Sequence, residues 1–313
     1  MGKIAFLFSG QGAQYVGMGK ELFDNYDVAR EVYNIADREL GFELSSLCFN
    51  GSKEELDLTE NTQPAILTTS IAALRVLEQQ KIKADYVAGL SLGEYSALVC
   101  SGVFSFEDAV KLVRKRGKYM QEAVPKGIGG MVAVLGLDAE LVEKACQEAS
   151  IKGVVQVANY NCPGQIVISG EIEALKEAGE KAKELGAKRI VPLEVSGPFH
   201  TRLLESASEK LYKELWSIKI NSINVPVISN VTAQYIQDSS NVKDLLKKQV
   251  LSSVRWEGTI RRMLGDGVDT FIEVGPGSAL RGFVKKIDRT VKLLNVENIS
   301  SLEAVLSYYR SRN

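Results

Sequence analysis

Cysteine, histidine and net charge are all scarce in this sequence. Its 313 residues include four cysteines and one histidine, and 38 Lys and Arg against 39 Asp and Glu leave a formal charge of -1. Cys48, Cys100, Cys146 and Cys162 form no CxxC pair, so zinc-site and thioredoxin-like readings lack support and no metal is expected. Cys100 and Cys146 sit in apolar helical contexts, where thiols are buried and inert. Balanced charge gives no reason to expect nucleic acid as a partner, and attraction to an acidic protein would need a local basic patch. Long apolar runs are missing too. The run after Lys3 is five residues, far below a signal-peptide core or a membrane span. No membrane partner is expected, and the expected compartment is the cytoplasm. Without a secretion signal, Asn230-Val231-Thr232 carries no weight as a glycosylation sequon.

What remains is ordinary globular composition, 45% hydrophobic and 25% charged, enough to build a large core without metals or disulfides. The length suggests about two domains. Residues 4–8 form a continuous apolar run before a Gly-rich turn, the pattern of a buried strand. Residues 64–79 carry apolar side chains at helical spacing. Residues 86–90 are another short apolar run, with a helical stretch at 93–100. Strands alternating with helices imply a parallel sheet covered on both faces. Near residue 126 the rhythm changes to strand (131–137), helix (139–148), two strands (154–159 and 165–169), helix (172–185) and strand (189–193). That βαββαβ order is a ferredoxin-like unit. The chain then returns through helix 203–218, strand 225–229, helices 242–250 and 256–264, strand 270–274 and helix 277–287. The expected fold class is therefore α/β. A large α/β-hydrolase-like subdomain with a parallel sheet (1–125 and 196–313) carries an inserted ferredoxin-like small subdomain (126–195).

Gly89-Leu90-Ser91-Leu92-Gly93 is a GxSxG motif between an expected strand and an expected helix, the context of a nucleophile elbow. The sharp turn projects the Ser91 hydroxyl, and the helix N-terminus aims the N–H of Leu92 at a developing oxyanion. A serine hydroxyl needs a base, and the lone histidine, His200, follows Gly197-Pro198-Phe199 in a loop where a side chain can be aimed. No acidic residue has motif support for orienting that imidazole, so a carbonyl oxygen is the alternative. The turn Phe8-Ser9-Gly10-Gln11-Gly12 offers the N–H of Gln11 as a second oxyanion donor. Its glycines do not match GxGxxG, which argues against a dinucleotide site. On the helix expected at 106–122, Arg116 lies in the stripe of Phe106, Ala109, Leu112, Val113 and Met120. Lys111, Arg114, Lys115 and Lys118 lie opposite, on an expected solvated face. A buried arginine must be paired with an internal acid or must face a ligand, and its fork suits a ligand carboxylate.

Taken in order, GQGAQ, TQPA, GLSLGEYSAL, RGKYMQ, ANYNCPGQ, GPFH and EVGPG resemble the malonyl-CoA:acyl carrier protein transacylase family across about residues 3–300. The resemblance implies that Ser91 carries the acyl group and His200 is its base. It implies that Gln11 and Leu92 supply the oxyanion hole, and that Arg116 binds the malonyl carboxylate. It also implies that the Gln249 carbonyl orients His200, that Gln63 lines the pocket and that Phe199 marks malonyl selectivity. The expected substrate is malonyl-CoA, the expected partner is an acyl carrier protein, and no cofactor is implied. Nothing demands more than a monomer. Leu90 stands where the family often has histidine and makes the pocket edge less polar. Two other functions stay open: a hydrolase on the same elbow, and a non-catalytic subunit that binds a carrier protein.

Overall fold

Strand β1 (Lys3–Phe8) sets the layering of the molecule. Ile4, Phe6 and Phe8 enter one apolar cluster, while Ala5 and Leu7 enter another. A strand that is apolar at successive positions can be buried on both faces only inside a covered parallel sheet. The structure is a computed structural model and describes residues 2–125 and 127–312. The boundary expected at Lys126, like the two terminal residues, lies outside them.

After β1 the chain runs through α1 (Lys20–Asn25), α2 (Asp27–Leu40), α3 (Leu44–Asn50), α4 (Lys53–Leu56) and α5 (Thr59–Gln79) to β2 (Tyr86–Gly89), α6 (Gly93–Cys100) and α7 (Phe106–Ala123). The insertion comprises β3 (Gly129–Leu135), α8 (Ala139–Ala149), β4 (Val155–Cys162), β5 (Gln165–Glu171), α9 (Ile172–Glu184) and β6 (Arg189–Pro192). The chain returns through α10 (Glu205–Trp216), α11 (Val242–Gln249), α12 (Trp256–Gly265), β7 (Val268–Val274), α13 (Ala279–Ile287), β8 (Lys292–Val296) and α14 (Ile299–Arg312).

Two sheets result. The parallel sheet has the order β2-β1-β7-β8, and the antiparallel one has the order β4-β5-β3-β6. The second sheet, packed by α8 and α9 around its own apolar cluster, is the ferredoxin-like unit. The first belongs to the large subdomain, which is α/β-hydrolase-like in holding a serine turn between strand and helix. The register aligns Phe8 with Gly89 on one side and with Val274 on the other. The carboxyl ends of three strands therefore open at one edge, the usual place for a ligand in such sheets. The edge of β4 meets the large subdomain there: Tyr160 N–H donates to Val254 O at 2.9 Å, and Val254 N–H to Ala158 O at 2.8 Å.

Three expectations need correction. Residues 225–229 are not a full strand; Val227 and Ile228 make only isolated bridges to Val87 and Tyr235. Helix α5 begins at Thr59, five residues before Pro64. Pro64 lacks an N–H for the carbonyl of Glu60, and that oxygen meets Arg114 Nη1 at 3.5 Å instead. Arg114 itself is half-buried over the Phe42 ring, 4.4 Å from its centroid, and donates to Asn61, so it is not simply solvated. Helices α1–α4, strand β8 and helix α14 are additional to the elements expected.

Helix α7 is capped by Ser105, whose hydroxyl accepts from Asp108 N–H at 3.1 Å, a side-chain N-cap. It packs on α5 through Gly117, where an added Cβ would sit 2.5 Å from Thr59 O and 2.8 Å from Glu60 Cα. Both neighbours are backbone and cannot swing away. Gly117→Ala should therefore lose stability despite a helix-propensity gain of about 1 kcal/mol, because overpacking costs about 1–3 kcal/mol. Urea unfolding should show a lower midpoint with an unchanged slope.

Candidate active site

The turn from β2 into α6 carries Ser91 at φ 53°, a left-handed conformation for a residue with a side chain. Such strain costs about 1–3 kcal/mol and survives only where surroundings enforce it. The enforcement is visible. A Cβ at Gly89 would collide with the backbone of Gly93, and a Cβ at Gly93 would collide with that of Phe8. Asn230 staples the turn, with Oδ1 accepting from Ser91 N–H at 2.6 Å and Nδ2 donating to Gly89 O at 2.7 Å.

The Ser91 hydroxyl lies 2.8 Å from His200 Nε2, and His200 Nδ1 lies 2.8 Å from the Gln249 carbonyl oxygen. A carbonyl can only accept, so Nδ1 carries the proton and Nε2 is left to accept from Ser91. His200 is also held at positive φ, 60°. It is buried, and burial pushes its pKa down from 6.5 to about 4, with the Arg116 charge adding to the effect.

Arg116 is buried on α7, as its place in the apolar stripe implies. Its partners are neutral. Nη1 donates to Gln63 Oε1 at 2.9 Å, while Nη2 donates to Gln249 Oε1 at 3.1 Å and to Ser91 Oγ at 3.2 Å. The Tyr95 ring centroid lies 5.3 Å from the guanidinium carbon. Among the described residues no carboxylate comes within ion-pair distance of Arg116. Gln63, expected to line the pocket, is buried against Arg116, and neither side chain borders the cavity that holds Ser91.

A cavity of 240 Å³ opens between the two sheets, with Gln11, Ser91 and His200 at its polar end. Its wall is largely apolar: Leu90, Met131, Val167, Phe199, Leu280 and Phe283. Asn159 and Asn161 also border it. A larger groove of 490 Å³, along α2, α7 and α10, contains none of these groups. The backbone N–H groups of Gln11 and Leu92 take no acceptor among the described residues, and both flank the Ser91 turn. Gln11 is fixed through its side chain, which donates to Thr59 Oγ1 at 3.2 Å.

Two residues at this site were not expected. Glu94, the fourth residue of the GLSLGE stretch counted from Ser91, is fully buried at the start of an apolar helix. Asn230 follows the apolar residues 225–228. An acid within GEYSALVC, with no solvent-facing stripe around it, is the signal that could have found Glu94. Burial pushes its carboxyl up to about 7, against the opposing pull of Gln249, Asn230 and Arg116.

A strained serine, a neutral histidine and unclaimed N–H donors at a strand-to-helix turn define a site for acyl chemistry. The acyl transferase domain family matches residues 5–311 of the chain. The malonyl CoA-acyl carrier protein transacylase of Bacillus subtilis (strain 168) is 50% identical over 314 aligned residues, covering 100% of this chain and 99% of that one. The crystal structure of the transacylase from Clostridium perfringens superposes with a TM-score of 0.97 at 52% identity, covering 99% of this chain and 98% of that one. A malonyl-transacylase solved in complex with its type II PKS acyl-carrier protein gives a TM-score of 0.95 at 41% identity, covering 98% and 99%. The chain belongs to the malonyl CoA-acyl carrier protein transacylase family of acyl transferases.

The depressed His200 pKa fixes a pH profile. A histidine acting as base on Ser91 works only when neutral, so acylation limited by free-protein ionisation should hold from neutral pH down to about 5 and fall only as pH drops through about 4. Arg116→Ala removes the second cause of that depression and should move this acid limb upward. Single-turnover rates against pH at limiting malonyl-CoA, which follow the ionisation of the free protein, check both statements. A limb near 6.5 in the unaltered chain would contradict them.

Proposed function

We propose that the chain transfers a malonyl group from malonyl-CoA to the phosphopantetheine thiol of an acyl carrier protein, through an ester on Ser91. The observation that carries this reading is the buried Arg116 guanidinium, whose partners are all neutral oxygens and which reaches the serine oxygen itself. A buried cation without a counter-ion is costly, and malonyl brings a carboxylate to the place where the reacting carbon must sit. The family and the acyl-carrier-protein complex of a structural neighbour support the donor and the acceptor.

The steps balance in two halves. Ser91 Oγ attacks the thioester carbon as its proton passes to His200 Nε2, while the Gln249 carbonyl holds the Nδ1 proton in place. The N–H groups of Gln11 and Leu92 receive the oxyanion. As the intermediate collapses, the carbon–sulfur bond breaks and His200 returns the proton to the CoA sulfur. The carrier thiol then repeats the sequence on the ester, and the proton comes back to Ser91. The incoming carboxylate offsets the Arg116 charge, which raises the His200 pKa when a base is needed. An apolar wall keeps the ester from water, favouring transfer over hydrolysis. Phe199 on that wall limits room at the acyl carbon next to the carbonyl, consistent with a malonyl preference.

Every group named lies in one chain, so a monomer suffices. No helix among the described residues is long and apolar enough to cross a membrane, and we place the activity in the cytoplasm, in fatty acid or polyketide synthesis. No group of metal-binding side chains occurs among the described residues, and the proton transfers need no cofactor. The subdomain boundaries near residues 126 and 195 belong to the same proposal.

Two variants test it. Ser91→Ala should show no malonyl adduct by intact mass and no transfer; an adduct at another residue would overturn the assignment. Arg116→Ala should lower kcat/KM for malonyl-CoA on the order of a hundred- to a thousandfold, the equivalent of about 3–4 kcal/mol. Acetyl-CoA has no carboxylate to lose and should change little. Equal losses for both substrates would make Arg116 a structural residue.

A further inference from the structure

We propose that Glu94 is a positioning residue that holds the nucleophile turn and the histidine support together through one carboxylate oxygen. The inference rests on the roles of Ser91 and His200 given above. Glu94 Oε2 accepts from Gln249 Nε2 at 2.6 Å and from Asn230 N–H at 3.2 Å. Those two residues brace everything else. Gln249 Nε2 also donates to Ser91 O at 3.0 Å, its Oε1 takes Arg116 Nη2, and its carbonyl takes His200 Nδ1. Asn230 spans Gly89 O and Ser91 N–H. Glu94 thus joins the serine turn to two residues far along the chain, Asn230 and Gln249, and touches no reacting atom itself.

The orientation of the Gln249 amide follows from this arrangement. Its NH₂ faces two acceptors, Ser91 O and Glu94 Oε2, and its oxygen faces the Arg116 cation. A flipped amide would set oxygen against oxygen and N–H against N–H. Removing the Glu94 acceptor leaves the Asn230 N–H and one of the two Gln249 amide N–H bonds buried without a partner, while the other keeps Ser91 O. The Gln249 backbone and the Ser91 turn then lose a shared anchor, and misplacement of reacting groups by about 1 Å costs on the order of a hundredfold in rate. Oε2 alone accepts both bonds, and the Ser229 hydroxyl is the other polar group close enough to the carboxyl to favour its charged form. One acceptor atom is what the role requires, and a neutral amide can supply it.

Three substitutions separate this role from others. Glu94→Gln keeps an acceptor at the same reach, Glu94→Met keeps the length without one, and Glu94→Asp withdraws the acceptor by one methylene. The readout is the single-turnover rate of Ser91 acylation at saturating malonyl-CoA and at saturating acetyl-CoA, with circular dichroism for folding. Glu94→Gln should stay within about threefold of the unaltered chain. Glu94→Asp should lose about tenfold, and Glu94→Met on the order of a hundredfold. Both substrates should fall by the same factor, since turn and histidine serve both; half-saturation should move little. Normal rates in Glu94→Met, or in Glu94→Asp should Glu94→Met not fold, would overturn the proposal. So would a Glu94→Gln protein as slow as Glu94→Met, or a loss confined to malonyl-CoA. Ser91→Ala runs beside them. An acylated Ser91→Ala protein sinks the proposed function, whereas an inert one beside a normal Glu94→Met protein sinks only the role of Glu94.

Discussion

The site depends on a buried positive charge that the protein stabilises without neutralising. Arg116 sits among Gln63, Gln249 and the Ser91 hydroxyl, all dipoles and no anion. Charge interactions are strong in such a low-dielectric interior, so this cation acts on everything nearby. It adds to the depression of the His200 pKa and opposes the rise in that of Glu94. A full ion pair with Glu94 would have been the simpler way to bury an arginine. Instead the Gln249 amide stands between the two, donating to Glu94 and accepting from Arg116. That spacing leaves the guanidinium without a carboxylate partner among the described residues, as the proposed malonyl recognition requires, and it links Arg116 to the residue whose carbonyl meets His200 Nδ1.

Architecture brings these groups together at the edge where β1, β2 and β7 end. Glycines 89, 93 and 117 matter because they let backbones touch: the first two form the serine turn, and the third brings α7 against α5 so that Arg116 meets Gln63. The ferredoxin-like unit closes the other side of the cavity with Met131, Asn159, Asn161 and Val167. Its β4 edge is pinned beside Val254, a few residues beyond Gln249. This side of the cavity wall and the Gln249 carbonyl that meets His200 Nδ1 are therefore fixed to the same segment.

Much of this was legible in the sequence because it is local. The GxSxG spacing, the apolar stripe around Arg116 and the βαββαβ order are short-range patterns, and helix 93–100 stands as expected. What the sequence hid is what depends on partners far along the chain. Glu94 and Gln249 lie 155 residues apart, and Glu94 and Asn230 136, so no spacing rule connects them. Gln63 reads as a polar residue before a proline, and only the packing of α5 on α7 turns it toward Arg116. Residues 225–229 carry a strand's apolar pattern, but they bridge β2 through Val227 alone and so never form a ladder.

A sequence with one histidine offers a direct test of the uncompensated charge. Isotope-labelled histidine gives one imidazole signal, and its titration midpoint reports the electrostatics beside Ser91. The midpoint should be measured on the malonyl-Ser91 and acetyl-Ser91 forms of the same protein. A carboxylate seated on Arg116 should raise the midpoint in the malonyl form above that in the acetyl form, because only malonyl cancels the neighbouring positive charge. Identical midpoints in the two esters would show that the carboxylate does not reach Arg116, and would contradict the account at its centre.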